Sequence, residues 1–150
     1  MAPWLRAAAV TAVVIALDQA TKALVRAHVA LSDRDSVLPG VEIVHVRNKG
    51  VAFNQLAGGG ALVSVVVGAA LLALLAYFAT HLDKPLVWLP TGMLLGGALG
   101  NIIDRLRDGA VTDFIKLPAW PAFNVADMSI TFGVLVLLYV IERDGAARRS

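Results

Sequence analysis

The sequence predicts an all-α membrane protein with four transmembrane helices and a small surface β-sheet between the first two helices. Of its 150 residues, 58% are hydrophobic and 16% are charged, whereas roughly 25% are charged in an average soluble domain. Apolar stretches recur at about the 20-residue length that crosses a hydrocarbon core. Because little chain remains outside these stretches, we expect one integral membrane domain over residues 1–150.

The predicted spans cover residues 4–29, 61–80, 85–103 and 125–141. The second and third contain no charged residue, and the fourth carries only Asp127 near its start. The first must include Asp18, Lys22 and Arg26, which recur every four residues and therefore lie on one helix face. Because a charge that faces lipid costs free energy, we expect this face to point into the bundle or toward the aqueous boundary.

The third span carries a row of glycines, Gly92, Gly96 and Gly100, at intervals of four residues. This small-xxx-small spacing lets the backbones of two helices approach each other closely. We interpret the glycine row as a packing surface for a neighbouring helix.

The two long polar connections lie on the same side of the predicted bundle. The first contains a β-like run at residues 41–46, which predicts a small sheet resting on the membrane surface. The second contains the turn signal Asp108-Gly109, an extended run at residues 111–115, and Trp120 among prolines, which is typical of an interfacial anchor. Both termini then share the opposite side, where positive charge is denser, and we expect them in the cytoplasm.

Composition excludes several classes of function. The net charge is +2 and the basic residues do not cluster, so the chain lacks the electrostatic footprint of a nucleic-acid-binding protein. Without cysteine it has no thiolate nucleophile and no cysteine-ligated metal. The three histidines, His28, His45 and His81, lack the spacing of metal ligands. We therefore expect no metal and no cofactor.

The end of the third span places Asn101, Asp104 and Arg105 at i, i+3 and i+4, so they should share a helix face. Arg105 suits a helix C-terminus, whereas the helix dipole disfavours Asp104 there, and Asp104 therefore needs a partner. Two interpretations stay open at this point. The residues form an Asp–Arg pair that ends the helix, or the group orients a neighbouring site.

Asp113 and Asp127 are the candidates for catalysis. Asn124 and Asp127 have the Asn-x-x-Asp order of a helix cap, but capping does not explain Asp113, which alternates with Val111 and Ile115 on an extended run. If the two carboxylates converge, repulsion and desolvation should leave them one shared proton. Such a pair can activate water against an amide, as in an aspartic protease.

Other functions are open to the same residues. Ser129 and Lys116 could form a Ser–Lys dyad, although neither lies in a strained turn that would expose a nucleophile. A small transporter or proton relay could use Asp18, Asp104 and Asp127 as titrating groups within the membrane. A non-catalytic scaffold could be built on the glycine row, but it would leave the two candidate aspartates without a shared purpose.

Five segments together resemble the motifs of lipoprotein signal peptidase, also called signal peptidase II. They are residues 18–22 (DQATK), 47–53 (RNKGVAF), 97–105 (GALGNIIDR), 109–114 (GAVTDF) and 123–127 (FNVAD). The resemblance follows the order of the motifs over nearly the whole chain. Each motif alone would be a weak signal, whereas the series with four spans is specific.

The resemblance implies a bacterial inner-membrane aspartic endopeptidase that removes the signal peptide from diacylglyceryl-modified prolipoproteins, just before the lipid-bearing cysteine. It implies Asp113 and Asp127 as the catalytic pair near the periplasmic face, and part of residues 50–60 as a segment that closes over substrate. The residues expected to position peptide, lipid and catalytic pair are Asp18, Lys22, Asn48, Gly50, Asn101, Asp104, Arg105 and Asn124. The implied partners are prolipoproteins and membrane lipid, and we expect a monomer.

Overall fold

The computed structural model describes residues 1–49, 59–82 and 84–147. In this part of the chain it is mostly helical with a small sheet, which confirms these two features of the predicted fold. The elements, in chain order, are α1 (Pro3–His28), β1 (Arg34–Leu38), β2 (Val41–Asn48), α2 (Gly59–Thr80), α3 (Trp88–Asp108), β3 (Val111–Lys116) and α4 (Val125–Ala147).

Two helices in the described part of the chain are long and apolar enough to cross a membrane, Pro3–His28 and Val125–Arg143. A shorter apolar stretch, Ala69–Thr80, lies within α2. Large apolar side chains on α4 point outward, and Leu138, for example, is 58% exposed. Such a surface fits a lipid environment, while a full set of four spans stays a prediction.

The third helix differs in its bounds from the predicted span. It begins at Trp88 because the preceding Leu86 has a φ of 69°, in the left-handed region, where the chain turns. It continues past residue 103, the predicted end of the span, as far as Asp108. Gly109 ends it with a φ of 70° and donates its N–H to the Arg105 carbonyl at 3.0 Å, which confirms the turn signal.

Glycines bring α3 close to both α1 and α4. A Cβ atom added to Gly92 would lie 2.6 Å from Cβ of Val10, and one added to Gly96 would lie 2.6 Å from Cβ of Val14, both on α1. On another face, a Cβ added to Gly97 would lie 2.5 Å from the carbonyl oxygen of Ala126 on α4. The prediction that the glycine row packs against a neighbouring helix is confirmed.

The sheet is antiparallel, with strand order β1-β2-β3. The predicted run at residues 41–46 lies within β2. The small sheet predicted between the first two helices is present as β1 and β2, and it gains a third strand, β3, from the connection between α3 and α4. A two-stranded hairpin is marginal alone, and the third strand pairs its open edge. Val46 pairs with Asp113, so the sheet brings the end of β2 beside that aspartate.

Two further predictions concern the loops on the sheet side. Trp120 is 61% exposed, in agreement with an interfacial role that stays a prediction. Gly50 and most of the segment 50–60, expected to close over substrate, lie outside the described residues.

Candidate active site

The charged stripe of α1 faces the interior of the bundle, as expected. Asp18 and Lys22 are fully buried, and Nζ of Lys22 lies 2.8 Å from Oδ2 of Asp18, one helical turn away. The same Nζ lies 3.1 Å from Oδ2 of Asp104 on α3, which is also fully buried. Arg26 is less buried, and it donates to the Thr112 hydroxyl of β3 at 3.1 Å.

The remaining oxygens of these two aspartates also have partners. Oδ1 of Asp18 accepts the N–H of Ala126, in the first turn of α4, at 2.9 Å. Oδ2 of Asp104 accepts the N–H of Thr112 at 3.0 Å, and its Oδ1 accepts from Nε2 of Gln19 at 3.0 Å. Burying a charge is costly unless it is paired and hydrogen-bonded. The charged cluster, meaning Asp18, Gln19, Lys22 and Asp104, satisfies this condition and joins α1, α3, β3 and α4.

The interpretation of Asp104 and Arg105 as a helix-ending pair was wrong. Asp104 pairs with Lys22, whereas the Arg105 side chain is exposed and lies outside the charged cluster. Arg105 has the spacing of the face that Asn101 and Asp104 share, but its side chain is exposed. The structure therefore supports the other interpretation for Asp104, a group next to the candidate site.

Asn124 and Asp127 form a reciprocal cap at the start of α4. The N–H of Asp127 donates to Oδ1 of Asn124 at 2.9 Å, and the N–H of Asn124 donates to Oδ2 of Asp127 at 3.3 Å. This is the geometry of a capping box, which confirms the capping interpretation. The cap also fixes the orientation of the Asp127 carboxylate.

Asp113 and Asp127, the aspartate pair, are joined through Asn124. Nδ2 of Asn124 donates to Oδ1 of Asp113 at 2.8 Å, while the backbone of the same residue holds Asp127. Oδ2 of Asp113 accepts from Nδ2 of Asn48, at the end of β2, at 2.9 Å. Oδ1 of Asp127 accepts from Nδ2 of Asn101, on α3, at 2.9 Å. Two carboxylates from different elements are thus brought to one place.

The environment of Asp113 favours its protonated form. Only 3% of this residue is exposed, and burial raises its pKa to about 6 against the opposing hydrogen bond from Asn48. The negative charge of Asp127 raises the pKa of Asp113 as well. Asp127 is less buried. The pair therefore has the electrostatic character of two carboxylates that compete for ionisation.

Most of the residues predicted for the site are gathered into one network of hydrogen bonds and ion pairs. These are Asp18, Lys22, Asn48, Asn101, Asp104, Asp113, Asn124 and Asp127. Sequence reasoning missed the contributions of Gln19 and Thr112. Gln19 carried a signal, since it is a polar residue inside a span and next to Asp18. Thr112 gave none, because it acts partly through its backbone N–H.

The residues of the alternative Ser–Lys dyad have other partners. The Ser129 hydroxyl donates to the Met93 carbonyl at 2.9 Å, and Nζ of Lys116 donates to the Trp120 carbonyl. Ser129 thus packs between α4 and α3, and Lys116 lies at the end of β3. Neither is arranged to activate the other as a nucleophile.

Comparisons with known proteins agree with this geometry. The profile of the family described as Signal peptidase (SPase) II matches residues 10–142. A lipoprotein signal peptidase of Moorella thermoacetica is 42% identical over 128 residues, covering 84% of this chain and 85% of that protein. Another, of Halothermothrix orenii, is 37% identical over 137 residues, covering 90% of this chain and 94% of that protein.

Two solved structures, both described as a bacterial membrane enzyme studied by the in meso method, have the same fold. One has a TM-score of 0.78 at 30% identity and covers 90% of this chain and 91% of its own. The other has a TM-score of 0.82 at 29% identity and covers 94% of this chain and 90% of its own. Since the family profile spans most of the chain and both kinds of relative agree with it, this chain belongs to the signal peptidase II family.

Proposed function

We propose that this chain is a membrane-embedded aspartic endopeptidase that removes signal peptides from diacylglyceryl-modified prolipoproteins, on the N-terminal side of the lipidated cysteine. One observation carries the proposal: Asn124 donates to Asp113 through its side chain and to Asp127 through its backbone. Family membership supports the substrate class, and this juxtaposition supports the catalytic type.

In the proposed reaction the aspartate pair holds one proton. The ionised carboxylate takes a proton from water as the water oxygen attacks the scissile carbonyl carbon, while the protonated partner donates to the carbonyl oxygen. The tetrahedral intermediate collapses when the C–N bond breaks and a proton passes to the leaving nitrogen. The products are a new carboxyl group on the signal peptide and a free amine on the lipidated cysteine. Positioned proton transfer of this kind contributes roughly 10²–10⁴-fold to the rate.

The alternative of a transporter or proton relay fits the charged cluster less well. Such a protein would use Asp18 and Asp104 as titrating groups, but both share Lys22 and accept further N–H bonds. A proton carrier would have to give up these contacts, which join α1, α3, β3 and α4. The two carboxylates are better suited to fix the position of the neighbouring residues.

In the proposed arrangement the chain crosses the bacterial inner membrane four times as a monomer, with both termini in the cytoplasm and the aspartate pair near the periplasmic face. The polar network lies where α1, α3 and the first turn of α4 meet β3. The exposed apolar side chains of α4 follow later along the same helix. A lipid-anchored substrate would then reach the site by lateral diffusion within the bilayer.

The direct test is cleavage of a purified diacylglyceryl-modified prolipoprotein by the purified protein in detergent micelles. Wild type should release the signal peptide, and Asp113→Asn or Asp127→Asn should lower the rate by about 100-fold or more. Asp35→Asn is the matched control, because it makes the same change at an exposed carboxylate on β1. Turnover by wild type alone would support a peptidase, but retained turnover in either of the two folded pair variants would exclude the aspartate mechanism.

A further inference from the structure

We propose that Lys22, acting through the side-chain amide of Asn101, is the positioning residue that keeps Asp127 ionised, so that Asp113 carries the shared proton. The inference rests on the proposed function and deepens it, since it gives each aspartate a separate role. Lys22 does not touch either member of the aspartate pair in this account. It acts through one intervening side chain.

The connection is a short chain of hydrogen bonds from a cation to a carboxylate. Nζ of Lys22 donates to Oδ1 of Asn101 at 3.0 Å, and Nδ2 of Asn101 donates to Oδ1 of Asp127 at 2.9 Å. Lys22 is fully buried and Asn101 is 7% exposed. In such an environment hydrogen bonds are stronger than in water and polarise one another.

Lys22 determines which way the Asn101 amide faces. An ammonium group has donors only, so the oxygen of the amide must face it and the NH₂ group must face away. Asn124 reinforces this orientation, because its Nδ2 lies 3.2 Å from the same oxygen of Asn101. The NH₂ group is thereby aimed at Asp127, and it stabilises the negative charge on that carboxylate.

The two aspartates differ in what surrounds them. Asp127 lies in the first turn of α4, where the helix dipole favours negative charge, and it also accepts the N–H of Asn124. Asp113 lies on a strand, is almost completely buried, and accepts from the neutral amides of Asn48 and Asn124. Negative charge is therefore better placed on Asp127 than on Asp113.

Other charged groups around the pair do not reverse this difference. On α1 they are Lys22, Asp18 and Arg26, and on α3 Asp104, which shares Lys22 with Asp18. Burial and the charge of Asp127 raise the pKa of Asp113 by more than the charge of Lys22 lowers it. On β2, Asn48 is neutral, and the adjacent Arg47 donates to the Asp108 carbonyl. In the reaction, Asp127 accordingly takes the proton from water, and the Asp113 carboxyl group donates to the substrate carbonyl.

The test is the pH dependence of kcat/KM for prolipoprotein cleavage, whose acid limb reports ionisation of the pair. Asn101→Leu removes the donor to Asp127, so the acid limb should move to higher pH by about one unit or more. Lys22→Met should move it in the same direction, and Lys22→Arg should restore most of the wild-type position. A role confined to folding would lower the yield or Tm and leave the limb in place.

Gln19→Leu is the matched control, because it removes a donor from the charged cluster without affecting the contact between Lys22 and Asn101. It should leave the acid limb unmoved. If Lys22→Met does not fold, the double variant Lys22→Met with Asp104→Leu is used instead, because it removes one charge of each sign and keeps the net charge of the cluster. An unmoved limb in folded Asn101→Leu, or in the folded Lys22 variant, would overturn the inference. Retained turnover in Asp113→Asn or Asp127→Asn would instead overturn the proposed function on which it rests.

Discussion

Two pairs of aspartates lie side by side in this molecule and are treated differently by their surroundings. Asp18 and Asp104 share the ammonium group of Lys22, at 2.8 and 3.1 Å. In the described part of the chain, the direct contacts of Asp113 and Asp127 are with neutral N–H donors. The first pair is held in place by one shared cation and by N–H groups, whereas the second has neutral partners.

The difference indicates how a small membrane protein can position two carboxylates without pairing either one directly with a cation. The charged cluster joins three helices and a strand around the cation of Lys22. Asn101 and Asn124 lie between the two pairs and contact each other. They transmit a fixed geometry to the aspartate pair without neutralising it.

The largest expected effect on stability is that of Lys22→Met. It leaves Asp18 and Asp104 buried without their cation, and breaking a buried ion pair in this way costs roughly 3–5 kcal/mol. Asp127→Asn should change the free energy of unfolding by less than about 1 kcal/mol, because an amide can keep one hydrogen bond there. Unfolding in mixed micelles measures both. If the two variants lost the same free energy of unfolding, the two aspartate pairs would not differ in how much their contacts stabilise the fold.

A second prediction concerns the pH dependence of stability. The folded-state pKa of Asp113 is raised from 3.8 to about 6, so the folded protein holds this proton more tightly than the unfolded chain does. Below pH 4, protonation of Asp113 stabilises the folded state by up to about 3 kcal/mol. This stabilisation is lost as the pH rises to about 6.

Asp113→Asn should abolish this dependence. The variant should therefore gain stability relative to wild type between pH 4 and pH 7, as measured by unfolding at each pH. If the difference in unfolding free energy between Asp113→Asn and wild type were the same at pH 4 and at pH 7, the raised pKa would be contradicted. Asp35→Asn, on the exposed first strand, serves as the control and should show no such gain.

The glycine row permits a finer comparison. Gly100→Ala would place a Cβ 2.6 Å from Oδ2 of Asp18, and Gly92→Ala would place one 2.6 Å from Cβ of Val10. Both should destabilise the protein by roughly 1–3 kcal/mol through overpacking. Only Gly100→Ala displaces the charged cluster, so it alone should lower the cleavage rate per folded molecule. Equal rates for the two folded variants would show that the cluster does not influence the site.

The smallest expected effect is that of Arg26→Leu. Its guanidinium lies 4.0 Å from Oδ1 of Asp104, and its side chain is 24% exposed. A partly solvated ion pair of this length contributes no more than about 1 kcal/mol. A loss as large as that of Lys22→Met would mean that Arg26 contributes as much as Lys22 to stabilising the two carboxylates of the cluster.

The helices and the buried stripe could be predicted because they follow from hydropathy and from four-residue spacing. The convergence of Asp113 and Asp127 was inferred from the cost of an isolated carboxylate and from the family resemblance. The pairing that brings Asn48 to Asp113 was beyond sequence reasoning, because it depends on the register between β2 and β3, elements from separate connections.

Other features could not be read from the residue types. Arg105 has the correct spacing for the face of α3 that carries the site, yet it is exposed. Spacing predicts the direction in which a side chain points, but it does not predict where along the helix the packing against neighbouring elements ends. The contacts of Thr112 and Ala126 with Asp104 and Asp18 are made by backbone N–H groups. Every residue except proline has such a group, so no sequence pattern marks them.

In the proposed reaction, Asp113 and Asp127 share one proton and together activate water. The pH dependence of kcat/KM of the wild-type protein on a diacylglyceryl-modified prolipoprotein shows whether they do. A pair that must be singly protonated predicts a bell-shaped profile, with an acid limb and an alkaline limb. A rate that rises through one ionisation and then stays constant well into the alkaline range would contradict the claim.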